Sequence, residues 1–202
     1  TIREIDGCPG PATGIPTGLG GCARASRSAR EPDEPRRAAT GSRCARCVSP
    51  AIRAHVQSGD VASEHRAVTI AFIRYEGIDA LISRSGPHAA AEALHRLVSV
   101  VEAATEEQEV TFLASDVDAD GGKLILTAGA PKGTGDDEER MLLALRKIID
   151  ADLRMPIRIG VNRGSVFAGD IGPAYRRTYT VMGDAVNLAA RLMAKAGPDT
   201  AL

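Results

Sequence analysis

The feature that most constrains this chain is the order of short apolar runs and amphipathic stretches that begins at residue 67. The run Ala67–Ile73 is short and rich in β-branched residues, which is typical of a strand. Runs of the same kind at 109–114 and 123–128 flank a segment dense in Asp and Gly, residues 116–122. These features predict one strand followed, after a gap, by a β-hairpin.

Two stretches have helical periodicity instead. Gly86-Pro87 opens the first, which fills the gap before the hairpin. Residues 136–149 form the second, with acidic side chains at its start and basic ones near its end, as the helix dipole favours. The apolar positions that indicate the first helix are Ala91, Leu94, Val98 and Val101.

The last third of the chain repeats the strand signal. Residues 157–161 predict a fourth strand, and residues 165–168 and 178–182 predict two more around a turn at Gly169–Gly172. A helix over 183–196 follows, and Gly197-Pro198 ends it.

The predicted order is therefore β-α-β-β-α-β, then a hairpin and a helix. Two β-α-β crossovers around an antiparallel hairpin describe an α+β, ferredoxin-like sheet with helices on one face. Aromatic residues make up only 3% of the chain and there is no Trp, so the core has to be built from Ala, Val, Leu and Ile. This fold hosts many functions and by itself decides none.

Residues 1–48 differ from the rest in composition. They are dense in Gly, Pro, Ser, Ala and Arg and lack periodic apolar positions, so they predict a linker or disordered segment. Residues 49–66 predict a short lead-in helix, with Ile52, His55 and Val56 at helical spacing. The expected organisation is a linker (1–48), a lead-in helix (49–66) and one domain (67–202).

Charge and hydropathy exclude several classes of protein. The net charge of −1 and pI of about 6.4 provide no basic field for nucleic acid or an anionic membrane. No apolar run approaches the roughly 20 residues that span a bilayer, and no signal-peptide pattern precedes residue 10. We therefore expect a cytoplasmic protein without a nucleic-acid partner.

The cysteines admit two interpretations. Cys44 and Cys47 form a C-x-x-C pair, which could be half of a zinc site or a redox pair. A zinc site needs a second pair, and Cys8 and Cys22 are too far apart to supply it. Ordinary reduced thiols are favoured.

The segment RIGVNRGSVFAGDIG (158–172) and the segment TYTVMGDAVNLAAR (178–191) together resemble the class III adenylate and guanylate cyclase family. Strand, glycine-rich turn and V-x-G-D-x-V-N-x-A-x-R follow one another almost without a gap, which is a specific combination. Upstream, residues 67–150 follow the family's element order more loosely. The resemblance implies a nucleotide cyclase fold that works as a dimer, with ATP or GTP bound between two domains and Mg²⁺ or Mn²⁺ as cofactor. In this family the domain continues beyond the point that corresponds to Leu202, so the C-terminal strands look truncated.

The resemblance also implies roles for individual residues. Asn187 would orient the ribose, and Arg191 would stabilise charge on the α-phosphate while pyrophosphate leaves. Thr180 occupies the position that reads the purine edge, and a Thr there is similar to the bacterial and bicarbonate-responsive type. Phe72 and Val186 are further candidate substrate contacts. Independently of the resemblance, Asn187 and Arg191 are four residues apart and project from one helix face, and a guanidinium suits spread phosphate charge.

The sequence departs from the family at its metal site. Arg74 stands where the first metal aspartate belongs, and a fixed cation repels Mg²⁺ rather than binding it. Counting back from Gly129-Ala-Pro131 places Gly122 at the second aspartate position. Asp118 and Asp120, with Asp116, are weak metal candidates that a shift of register could present; turn-forming acids are favoured. Lys123 is a weak candidate for the family's purine-contacting lysine.

These departures predict a substrate-side half, similar to the second half of a tandem bicarbonate-type adenylate cyclase. A homologous, metal-bearing partner domain would then supply the metal ions, and the pair would convert ATP to cyclic AMP; the isolated chain is expected to be inactive. The alternative is a non-catalytic pseudo-cyclase domain that binds nucleotide or a partner and regulates cyclic-nucleotide signalling. A decayed fragment without function is the third interpretation.

Overall fold

A mixed sheet forms the centre of the structure, a computed structural model that describes residues 48–59, 63–173 and 175–202. The predicted linker (1–48), with all four cysteines, lies outside the described residues except for Val48. Within the described residues the strands are β1 (Glu64–Glu76), β2 (Thr111–Asp118), β3 (Gly121–Ala128), β4 (Ile157–Ile171), β5 (Thr178–Met182) and β6 (Thr200–Ala201). The helices are α1 (Pro50–Ser58), α2 (Ile78–Glu107), α3 (Asp137–Ile149) and α4 (Asp184–Lys195).

The strand order β2-β3-β1-β4-β5 confirms the predicted ferredoxin-like topology. Each neighbouring pair in this order is antiparallel, as two crossovers around a hairpin require. The short strand β6, which the sequence patterns do not indicate, pairs in parallel with the start of β4.

The helices lie on both faces of the sheet, which corrects the expectation of one helical face. Helices α2 and α3 pack on the face that carries Ile73, Leu126 and Ile159. Helix α4 packs on the opposite face, over Ile70 and Val166. We call this second surface the α4 face. The strands β1 and β4 are apolar on both sides because helices cover both sides of them.

The predicted lead-in helix over 49–66 is too long. Helix α1 ends at Ser58, and residues 64–66 belong to β1, which starts earlier than its apolar run. The polar start of β1 is held by pairing with β4, where Glu64 lies opposite Ala168. His55 fastens α1 to this edge of the sheet: its Nε2 lies 3.1 Å from Asp170 Oδ2, and its ring packs edge-on against Tyr179 at 4.5 Å.

Other boundaries also shift. The predicted strands 157–161 and 165–168 are one continuous strand, β4. The predicted turn 116–122 is much shorter, because residues 116–118 belong to β2 and residues 121–122 to β3. Helix α2 begins at Ile78, but non-helical backbone at Gly86 (φ 83°) divides it into two segments. The segment before Gly86 was not predicted, whereas the second segment starts at Gly86-Pro87 as predicted. Its buried stripe includes Leu97 and Val101, whereas the predicted position Ala91 is exposed.

Candidate functional site

Charged side chains lie side by side on the α4 face, where β1 ends. The strand register places Lys123 of β3 between Asp116 of β2 and Arg74 of β1. Arg74 is in turn opposite Arg158 of β4. One step further along the same face, two more acids flank these residues. We call this set the charged row: Asp116, Asp118, Lys123, Arg74, Glu76 and Arg158.

Arg74 lies between two carboxylates of the charged row. Its Nε donates to Glu76 Oε1 at 2.6 Å, and its Nη1 donates to Asp118 Oδ2 at 2.8 Å. These two hydrogen bonds, first that to Glu76 and then that to Asp118, raise the pKa of the guanidinium above its ordinary value. Arg74 therefore provides a permanent cation at the place where the family resemblance puts a metal-binding carboxylate.

The neighbouring acids are also engaged. Asp116 Oδ2 lies 3.0 Å from Lys123 Nζ, and this hydrogen bond lowers the pKa of the Asp116 carboxyl. The carboxylate of Asp120 accepts hydrogen bonds from the backbone N–H groups of Gly77 and Asp79, at 3.3 and 3.2 Å, and so holds the start of α2. Asp120 is thus a helix-capping residue, and Asp118 is the partner of Arg74.

Gly122 lies on the other face of the sheet. It is opposite Tyr75, whose side chain belongs to the core under α2 and α3. A Cβ at Gly122 would lie 2.4 Å from the carbonyl oxygen of Asp116 and 2.5 Å from the Tyr75 hydroxyl. An aspartate at this position would clash and would point away from Arg74. Gly122, which counting back from Gly129 assigned to the second metal aspartate, is therefore not next to Arg74 in this register.

The residues present do not fit the Mg²⁺ or Mn²⁺ that the resemblance implies. Both metals are bound by oxygen ligands that are free to face them. Here a guanidinium fills the space between Asp118 and Glu76. Across the described ranges, no group of three or more His, Cys, Asp or Glu side chains is placed to hold a metal ion.

Helix α4, which carries the predicted catalytic pair, lies directly on β4 because glycines face it. A Cβ at Gly160 would lie 2.1 Å from the backbone nitrogen of Met193 and 2.2 Å from the carbonyl oxygen of Ala189. A Cβ at Gly164 would lie 2.7 Å from Cβ of Ala185. Backbone atoms of α4 and β4 are therefore in direct contact, and α4 cannot move closer to the strand.

Asn187 and Arg191 are both exposed on the side of α4 that faces away from the sheet core. The helix start is held by Asn162, whose Nδ2 donates to the carbonyl oxygen of Ala185 at 3.1 Å. Arg191 makes no hydrogen bond or ion pair with any residue that the structure describes. Asn187 and Arg191 therefore lie on a helix that is packed against the sheet, and their side chains are accessible to a ligand or a partner.

The remaining candidates are not gathered around this pair. Thr180 alternates along β5 with Val181, which packs under α4, so its side chain lies on the opposite face of that strand. Phe72 is only 6% exposed and belongs to the core beneath α4. Val186 is half-buried and packs against the same core. Within this chain, Asn187 and Arg191 are thus the two candidates that present whole polar side chains to solvent.

The sequence patterns did not identify Glu76, Arg158 or Gly160 as parts of the site. Strand alternation could have identified Glu76, because residues 74 and 76 of one strand share a face. Arg158 and the acids of β2 join them only through the register of the neighbouring strands, which the sequence does not reveal. The signal for Gly160 is a glycine inside an apolar strand, which marks the close approach of another backbone.

Comparison with known proteins supports the same family as the motifs. The family described as "Adenylate and Guanylate cyclase catalytic domain" matches residues 61–200. An uncharacterized protein of Mycobacterium tuberculosis (strain H37Rv) is 32% identical over 154 residues, which are 73% of this chain and 28% of that protein. An uncharacterized protein of Mycobacterium bovis matches to the same extent. The chain spans less than a third of the length of these relatives.

Solved cyclase domains share the fold. The guanylate cyclase domain of a rhodopsin-guanylyl cyclase from Catenaria anguillulae, in complex with GTP, is 22% identical. The match covers 68% of this chain and 78% of that one, with a TM-score of 0.57. The adenylyl cyclase CyaB from P. aeruginosa is 19% identical, covering 69% of this chain and 77% of that one, with a TM-score of 0.52.

Proposed function

Because the chain belongs to the adenylate and guanylate cyclase catalytic domain family, we propose that it is the substrate-side half of a class III nucleotide cyclase. In this proposal a homologous, metal-bearing partner domain completes the site, and the pair converts ATP to cyclic AMP and pyrophosphate. The observation that carries the proposal is the exposed Arg191, which pairs with no described residue and lies on a helix that packs tightly on the sheet. We place the reaction in the cytoplasm, where the nucleotide substrates are found.

The polar groups of α4 perform the part of the reaction that falls to this chain. Asn187 donates to the ribose and holds the 3′-oxygen toward the α-phosphate. Arg191 places its guanidinium against the α-phosphate oxygens, where charge increases as pyrophosphate leaves. Such reactions depend mostly on positioning and charge stabilisation, and a planar guanidinium matches phosphate oxygens. Thr180 is proposed to contact the purine at the free edge of the sheet, because β5 is an edge strand and the Thr180 side chain lies on its face opposite α4. The choice between ATP and GTP would then rest on its hydroxyl and on the partner.

The charged row explains why a partner is needed. Metal ions would supply positive charge beside the phosphates of the nucleotide, but here Arg74 fills the space between Asp118 and Glu76, which would otherwise be candidate ligands. A homodimer of this chain would repeat the same arrangement in both of its sites. We therefore assign metal binding to the partner domain and nucleotide contacts to this chain.

The isolated chain should make no cyclic nucleotide. The purified protein would be incubated with Mn²⁺ and ATP, and separately with Mn²⁺ and GTP, and the cyclic products would be measured. We expect product no higher than the level without protein, because neither site of a homodimer has its carboxylates free. Product that disappears in Arg191→Ala would overturn the half-enzyme proposal.

A non-catalytic pseudo-cyclase is the second candidate function. The ion pairs of Arg74 with Glu76 and Asp118 favour it, because they occupy carboxylates that a metal ion would need. Like the half-enzyme, a pseudo-cyclase predicts that the isolated chain makes no cyclic nucleotide. When a partner domain is added, however, a pseudo-cyclase should bind nucleotide without converting it. Product formation in a mixed dimer, considered below, separates the two candidates.

Replacing Arg74 by aspartate tests whether this cation excludes metal. The charged row would then hold four carboxylates against two cations, Lys123 and Arg158. We therefore expect the variant to be about 1–2 kcal/mol less stable in metal-free buffer. Addition of 1 mM Mn²⁺, about the scale of a weak oxygen-ligand site, should raise its melting temperature. The melting temperature of the unsubstituted protein should not change with Mn²⁺.

Arg163→Asp is the matched control for this experiment. Arg163 is also a strand arginine paired with a glutamate, Glu138, but it lies outside the charged row. We expect no response of this variant to Mn²⁺. Equal responses of both variants would mean that Arg74 has no special part in excluding metal.

A further inference from the structure

A cavity of about 520 Å³ lies away from the charged row, between the start of α1 and the segment that joins α2 to β2. One wall is formed by residues 48–53, at the start of the lead-in helix. The other is formed by the end of α2 and by residues 109–112. The volume suits a small organic molecule, and the proposed cyclase chemistry makes no use of this site.

Two buried polar atoms in the helical wall have no hydrogen-bond partner among the residues that the structure describes. Arg53 Nη2 donates to the carbonyl oxygen of Val48 at 3.0 Å, but Arg53 Nε is buried and has no acceptor. The hydroxyl of Ser49, the N-cap residue of α1, is also buried and does not cap the helix. Buried donors without acceptors are costly, typically about 1–3 kcal/mol each. Moreover, Arg53 forms no ion pair with any acid in the described part of the chain.

The opposite wall is apolar inside and acidic at its rim. Val110 is buried and Phe112 is half-buried. At the rim, Glu102 and Glu106 are exposed one helical turn apart, and Lys132 is an exposed cation among the lining residues. This distribution favours an anion with a single charge at the Arg53 end and disfavours polyphosphates, which the rim carboxylates would repel.

We propose that this cavity binds a small organic monocarboxylate with an apolar body. The carboxylate pairs with the guanidinium of Arg53 at the cavity wall. The buried Arg53 Nε and Ser49 hydroxyl turn toward the ligand as it enters, and the apolar body lies against Val110 and Phe112. The site goes beyond the proposed cyclase function and does not depend on it. Because the ligand contacts the first turn of α1, its binding stabilises the docked position of that helix.

Octanoate is the probe for this proposal, and its uncharged amide, octanamide, is the matched control. We expect octanoate to bind the full chain with one-to-one stoichiometry in calorimetry, and to increase hydrogen-exchange protection of residues 51–58. Arg53→Gln should weaken octanoate binding by about tenfold or more, because a charge-assisted hydrogen bond is lost. Ser49→Ala, a milder change, should weaken it by a smaller factor.

Arg154→Gln is the control variant, since Arg154 is an exposed arginine that does not line the cavity. It should bind octanoate as the unsubstituted chain does. Three results would each overturn the proposal: no binding of octanoate at 10 mM, about 10⁴-fold above a micromolar site; equal binding of octanamide; or full affinity in both Arg53→Gln and Ser49→Ala. Melting curves of the two variants establish that a loss of binding is not a loss of folding.

Discussion

Replacing Arg191 by alanine should lower cyclic AMP formation by about 10²–10³-fold in a dimer of this chain with a metal-bearing partner domain. The guanidinium is exposed on α4 and makes no ion pair with any described residue of its own chain, so its loss removes no internal contact. The change should therefore appear in kcat far more than in the stability of the domain. Cyclic AMP produced per unit time at saturating ATP is the measured quantity.

The partner must be chosen so that only the mixed site can be active. A homologous cyclase domain that keeps its metal-binding aspartates, but whose own arginine at the position of Arg191 is replaced by alanine, should be inactive as a homodimer. Mixing it with this chain should restore activity, because Arg191 and the partner's carboxylates then meet in one site. The second site of the same dimer stays inactive, since it combines Arg74 with the partner's alanine.

Lys195→Ala is the matched control for Arg191→Ala. Lys195 is exposed and lies one turn further along α4, outside the motif that carries the resemblance. We expect its loss to change the rate less than about threefold, as for a surface substitution. If mixing restores no activity although the two domains associate and ATP binds, the pseudo-cyclase replaces the half-enzyme as the best account of this chain.

Replacing Gly160 by alanine should destabilise the domain by about 1–3 kcal/mol, or more if α4 cannot move. The added Cβ would approach the backbone of Met193 and Ala189 to about 2.1–2.2 Å, and backbone atoms cannot rotate away as a side-chain end can. A strand alanine gains roughly 0.5–1 kcal/mol over glycine from chain entropy, but the clash outweighs this gain. The melting temperature should fall by about 2–12 °C, at roughly 2–4 °C for each kcal/mol in a chain of this size.

Gly197→Ala is the control for Gly160→Ala, because its Cβ would make only an ordinary contact, 3.6 Å from Thr200 Oγ1. We expect its melting temperature to stay close to that of the unsubstituted chain. Gly160→Ala should also reduce the activity of the mixed dimer, since Asn187 and Arg191 move with α4. An unchanged melting temperature in Gly160→Ala would mean that the helix does not rest on β4 as described.

Sequence patterns predicted those parts of the fold that local periodicity determines. Helices α3 and α4 and the strand order followed from runs of apolar residues and from the handedness of crossovers. The patterns failed at β4, which was predicted as two strands, 157–161 and 165–168, on either side of Asn162-Arg163-Gly164. Gly164 is inside the strand because Ala185 of α4 lies directly above it. This reason is tertiary, and no local pattern contains it.

The candidate site divides in the same way. Asn187 and Arg191 are four residues apart on one helix, so a short motif was enough to place them on one face. The charged row joins residues from β1, β2, β3 and β4, and a shift of one residue in any strand would turn its side chains to the other face. Gly122 shows this directly, because counting along the sequence placed it with Arg74 and the register placed it opposite Tyr75.

The charged row also bears on how fast a nucleotide reaches the site. Its three cations, Arg74, Lys123 and Arg158, are matched by three anions, so this end of the sheet has almost no net electrostatic field beyond about 10 Å in physiological salt. A triphosphate approaching this surface is therefore not accelerated by long-range attraction. The rate of nucleotide capture should depend weakly on ionic strength, and what dependence remains should come from the partner's surface and from Arg191.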